Sequence, residues 1–71
     1  MEWMIYGANG YTGQLIIEEA LKRGWRPILA GRSRQSIEPL AQKYDLPARV
    51  FSLDKPDAIL MGLRGVELVL H

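Results

Sequence analysis

Residues 7–13 read Gly7-Ala8-Asn9-Gly10-Tyr11-Thr12-Gly13, and what stands on either side of them decides the fold. Before them, Trp3–Tyr6 is a compact apolar run closed by a turn residue, the pattern of a buried strand. After them, Thr12 to Arg23 has helical period, with Gly13, Ile17, Ala20 and Leu21 stacked on one face. Glu18 with Lys22 and Glu19 with Arg23 are i,i+4 pairs on the other face, acid first, which is the better orientation. Gly24 supplies the left-handed residue that commonly stops a helix. The glycine segment is therefore expected to join a strand to a helix.

The same alternation continues outward. Arg26–Ala30 reads as a second strand, with Pro27 near its start where a missing donor is tolerated. Ile37, Leu40, Ala41 and Tyr44 then recur at i, i+3, i+4 and i+7. Pro39 belongs in a first turn, so the N-cap of this second helix is placed at Ser36, with Ser33 as the alternative. Asp45-Leu46-Pro47 ends it, and Ala48–Leu53 is the third strand. Asp54-Lys55-Pro56 opens a third helix that runs to Gly65, with Asp54 as its cap. Val66–Leu70 is the fourth strand.

Strands that alternate with helices of this length pair in parallel through right-handed crossovers. Their apolar runs are continuous, as expected when helices cover both faces. The expected fold is α/β, half of a doubly wound Rossmann-type parallel sheet, β-α-β-α-β-α-β, with strand order 3-2-1-4. Residues 1–71 make a single NAD(P)-binding domain in this reading. An apolar Val66–Leu70 would be an uncovered edge, so the chain is expected to be the N-terminal part of a longer protein, or to self-associate through that strand.

Composition narrows the alternatives. At 71 residues and 8.1 kDa, a folded monomer should expose roughly 4,500 Å² and bury about 60% of its unfolded surface, which is marginal. With Cys 0 and a single histidine, neither disulfides nor a Cys/His zinc site can add stability. Hydrophobic residues at 48% and charged residues at 24% mark an ordinary globular chain rather than a disordered one. The longest apolar runs, Trp3–Tyr6 and Ala58–Met61, are too short to span a membrane, and the start of the chain has no basic region of a signal peptide. A net charge of +1 gives no general attraction to nucleic acid or anionic lipid. The absence of cysteine fits a reducing compartment, and the expected location is cytoplasmic.

Chemistry is concentrated in two segments. In a strand–turn–helix context the three motif glycines have separate tasks. Gly7 turns the chain off the strand, Gly10 lets backbone approach a pyrophosphate, and Gly13 lets the helix pack close. The free N–H groups of the first helical turn, around Tyr11 and Thr12, face an anion. The spacing is G-x-x-G-x-x-G, and Gln14-Leu15 replaces the Lys-Ser/Thr of a nucleoside-triphosphatase loop. A plain βα turn would not need all three glycines.

The second segment is Gly31-Arg32-Ser33-Arg34. NAD-binding folds place an acid here for the ribose 2′-hydroxyl, yet no acid lies between Glu19 and Glu38. Gly31 leaves room, while Arg32 and Ser33 offer donors to a 2′-phosphate, with Arg34 the weaker candidate. The expected cofactor is thus NADP (NADPH), NAD being less favoured. Asp54, at the end of the third strand, has two readings: a neighbour of the adenine, or only the cap of the third helix. Trp3 and Trp25 are expected to pack on the core or cover strand ends. His71 has no partner carboxylate within reach by sequence and receives no catalytic role.

Gly7–Gly13, Ala30-Gly31-Arg32-Ser33 and Gly65–Leu70 together resemble the NADP-binding N-terminal domain of the saccharopine dehydrogenase-like family, which includes reductases of the trans-acting enoyl reductase type. The glycine segment alone is shared with short-chain dehydrogenases and NmrA-like proteins. The resemblance implies phosphate contacts at Gly7, Gly10, Tyr11, Thr12 and Gly13, and 2′-phosphate contacts at Arg32 and Ser33; Asn9, inside the glycine segment, is counted with the expected cofactor-binding residues. It also implies a continuation into a substrate domain, so the chain is expected to be the cofactor-binding portion of an NADP-dependent oxidoreductase and inactive alone. The competing expectation is a non-catalytic NADP-sensing or interaction module of the NmrA-like type.

Overall fold

The computed structural model describes residues 2–71. Seven elements follow one another: β1 (Trp3–Tyr6), α1 (Tyr11–Lys22), β2 (Ile28–Gly31), α2 (Arg34–Tyr44), β3 (Ala48–Val50), α3 (Pro56–Gly62) and β4 (Leu68–Leu70). All strand pairings are parallel and the sheet order is β3-β2-β1-β4, as the sequence pattern predicts. This is half of a Rossmann-type sheet, and β1 lies at the point where the strand order reverses.

Side-chain alternation along β1 and β2 divides the core into two layers. Ile5 and Leu29 pack with Ile17 of α1 and with Ile37 and Ala41 of α2. On the opposite face Met4, Ile28 and Ala30 pack with Phe51, and Ala58 and Leu63 approach from the α3 side. The central strands are buried, but β3 is only partly so and every residue of β4 is exposed. The fully apolar run at the fourth strand is thus not matched by helical cover. The exposed surface of 4911 Å² exceeds the roughly 4,500 Å² of a monomer of this mass.

Several boundaries differ from the sequence reading. β2 begins at Ile28 and includes Gly31, because Gly31 C=O accepts from Phe51 N–H at 3.0 Å. β3 stops at Val50 rather than Leu53, since β2 offers no ladder partner beyond Gly31. β4 is Leu68–Leu70 rather than Val66–Leu70; Val66 N–H turns back to Leu63 C=O at 3.0 Å.

The N-cap of α2 is Ser33, the alternative, and not Ser36. Pro39 consequently lies inside the helix. The fully buried Ile37 must sit in the first turns of α2 to fill the space above β2, and that packing outweighs the hydrogen bond lost at the proline. Asp54 does not cap α3. The N-cap is Lys55 without a side-chain bond, and the helix ends at Gly62 rather than Gly65. Among the described residues no helix is long and apolar enough to cross a membrane.

Candidate functional site

A cleft of about 680 Å³ opens at the carboxyl ends of the strands. Each strand delivers residues to it: Tyr6, Gly7 and Asn9 from β1; Gly31, Arg32 and Ser33 from β2; Ser52, Leu53 and Asp54 from β3; His71 from β4. Position at the switch point of an open parallel sheet is where such folds receive ligands.

The glycine loop is locked by its own backbone. Gly7 (φ +79) and Ala8 both donate N–H to Ala30 C=O, at 2.8 and 3.2 Å, pinning the loop to β2. Gly10 N–H donates to Gly7 C=O at 3.0 Å, so this amide is used within the turn. The first helical bond is Gln14 N–H to Gly10 C=O at 3.0 Å. The amides of Tyr11, Thr12 and Gly13 precede that bond and have no backbone acceptor among the described residues. Gln14 Nε2 donates to Asn9 C=O at 3.1 Å, which holds that carbonyl oxygen in place beside the turn.

The three glycines divide by physical cause. A Cβ at Gly13 would stand 2.7 Å from Gly7 O and 2.8 Å from Ala8 Cα, so close helix packing demands glycine there. Gly7 needs its left-handed backbone. Gly10 needs neither: its φ of −75° and ψ of 168° suit any residue, and a Cβ would meet only Gly7 O at 3.4 Å. It is the N-cap of α1, a place where Ser, Asp or Asn would bond the free amides. No cap side chain and no acid in the first turn leave the helix N-terminus open to an anion.

At the end of β2, Arg32 is exposed and forms no ion pair among the described residues. Ser33 caps α2 through its carbonyl, which accepts from Ile37 N–H at 2.9 Å, and its hydroxyl makes no cap bond. Both donors are therefore available where they line the cleft. Arg34 is paired with Glu38 along α2 instead. Gly31 has a packing reason for its size: a Cβ there would come within 2.8 Å of Ile37 Cδ1. Asp54 lines the cleft and accepts from Ser52 Oγ, so of its two readings the capping one is overturned.

The structure thus gathers Gly7, Asn9, Arg32, Ser33 and Asp54 in one cleft, with Gly10, Tyr11, Thr12 and Gly13 on the adjoining loop and helix start. Sequence reasoning missed Tyr6, Ser52 and Leu53, although all three follow from the rule that strand ends line such clefts. His71, assigned no role, comes beside Tyr6 with ring centroids 5.6 Å apart. Trp3 is partly buried, whereas Trp25 is 51% exposed rather than packed in the core. Their rings meet edge to face at 6.2 Å, beside the amino end of β1 and away from the cleft. No protein-family model, curated protein or solved structure matches this chain.

Proposed function

We propose that this chain is the NADP(H)-binding N-terminal portion of an oxidoreductase of the saccharopine dehydrogenase-like kind. The carrying observation is Gly10: neither conformation nor packing requires glycine at this N-cap, and its missing side chain leaves open amides at the mouth of a strand-end cleft. A pyrophosphate would lie against the amides of Tyr11, Thr12 and Gly13, close to Gly7 and Gly10. Arg32 and Ser33 would hold the 2′-phosphate, with Asn9 beside the ribose and Asp54 near the adenine. When bound, such a cofactor supplies hydride transfer, and the protein supplies position.

Calorimetric titration with NADPH and NADH tests the reading. Trp3 and Trp25 are too far from the cleft to serve as direct reporters. Saturable NADPH binding, tighter than NADH, is the expected result; no binding of either at millimolar concentration would remove the proposal. The 71-residue chain alone is expected to give no substrate-dependent NADPH oxidation.

A further inference from the structure

At the mouth of α1 the backbone groups are sorted by sign. The amides of Tyr11, Thr12 and Gly13 have no backbone acceptor among the described residues, while the carbonyls around them are engaged. Gly7 C=O accepts from Gly10 N–H at 3.0 Å, and Gly10 C=O accepts from Gln14 N–H at 3.0 Å. Ala8 C=O lies against Gly13, 2.8 Å from where a Cβ would stand. Asn9 C=O, one residue outside the N-cap, receives no backbone donor among the described residues. It accepts instead from Gln14 Nε2 at 3.1 Å. Gln14 thus holds the carbonyls of both Asn9 and Gly10, the first through its side chain and the second through its main chain.

We propose that Gln14 is a positioning residue for the pyrophosphate, a role that rests on the cofactor-binding reading of this loop. It keeps the Asn9 carbonyl turned to the flank of α1 and away from the bound anion. In the planar trans peptide between Asn9 and Gly10, the C=O and the N–H point in opposite directions. Gly7 C=O holds the N–H and Gln14 Nε2 holds the C=O, so the plane is fixed from both sides. Without Gln14 only the Gly7 bond remains. The peptide can then tilt its oxygen, a partial negative charge, toward the place where the phosphates would lie.

The residue type agrees with this role. Glutamine in a capping box, at the third helical position, accepts from the N-cap amide. Gln14 stands one residue later and acts in the opposite sense, donating to a carbonyl and consuming none of the free amides. Its side chain is neutral, so it sets the turn without anchoring phosphate by charge as a lysine would. Asn9 is exposed, so in the unliganded chain water can replace the side chain at its carbonyl. A bound anion displaces that water, and only then is the side chain missed. Affinity and stability should therefore separate at Gln14.

Gln14→Met, close in size, equal in helix propensity and unable to donate, tests the role in the 71-residue chain. Calorimetry with NADPH is read beside the urea midpoint and hydrogen exchange at Gly10. NADPH should bind about three- to tenfold more weakly, the worth of one neutral hydrogen bond, at an unchanged midpoint. Exchange of the Gly10 N–H should quicken, because its turn opens more often. Gln14→Lys restores a donor and should return that exchange to the slower rate. Unaltered NADPH binding by Gln14→Met overturns the proposal. So does weaker binding with Gly10 exchange unchanged, which would make Gln14 a direct contact of the ligand. A loss of affinity matched by a fall in the midpoint also overturns it, leaving Gln14 a structural role only. Failure of the unaltered chain to bind NADPH is a different result: it removes the cofactor reading itself, and this role with it.

Discussion

The phenolic O–H of Tyr6 donates to the backbone carbonyl of Phe51, 2.6 Å away, although β2 lies between the strands that carry them. Ala30 is the register partner of Tyr6, and its small side chain leaves room for the ring to cross β2. The two aromatic rings lie 5.1 Å apart, and this contact ties Tyr6, which lines the cleft, to the buried Phe51 of the core. Tyr6→Phe keeps the ring and removes the donor, leaving a part-buried carbonyl without that partner. Stability should fall by about 1 kcal/mol, read as a lower urea midpoint at unchanged slope.

The two inner glycines of the loop should separate stability from binding. Gly13→Ala drives a methyl group to 2.7 Å from the backbone of Gly7 and should cost about 1–3 kcal/mol. Gly10→Ala meets only a 3.4 Å contact and an ordinary φ, so unfolding should shift by less than about 0.5 kcal/mol. NADPH affinity should nevertheless drop, because the methyl group occupies the approach to the amides. A Gly10→Ala chain that binds NADPH normally would reduce the loop to a structural turn.

Arg32→Ala should weaken NADPH binding roughly ten- to a hundredfold, the value of one charge-assisted contact of about 1.5–3 kcal/mol, and leave NADH binding nearly unchanged. The preference for NADPH in the unaltered chain should shrink as salt rises. Equal affinities for the two cofactors would sink the assignment of Arg32 while sparing the glycine loop. Calorimetry at two ionic strengths decides it.

Because Asp54 caps nothing, Asp54→Ala should shift the thermal midpoint by no more than an ordinary surface substitution, within about 0.5 kcal/mol. Loss of a true N-cap would cost about 1 kcal/mol. A destabilisation of that size in calorimetry would restore the capping role at the start of α3.

What the sequence determined by itself is what local chemistry and chain handedness dictate. Apolar period, the glycine turn at Gly7–Gly13 and right-handed crossovers were enough for the element order and for the order β3-β2-β1-β4. Five predicted site residues, from Gly7 to Asp54, meet in the cleft because strand ends in such a sheet converge on one rim.

Tertiary structure decided the rest, because those outcomes depend on neighbours distant in sequence. Ser33 rather than Ser36 caps α2 since Ile37 must reach β2, and the same contact makes Gly31 small. Gly62 looks like a weak helix residue until the Phe51 ring is seen 2.4 Å from where its Cβ would stand. The ends of β3 and β4 are set by how far β2 and β1 extend to pair with them, a limit that no property of Ala48–Leu53 or Val66–Leu70 encodes. His71 joins Tyr6 at the cleft only because β4 lies beside β1.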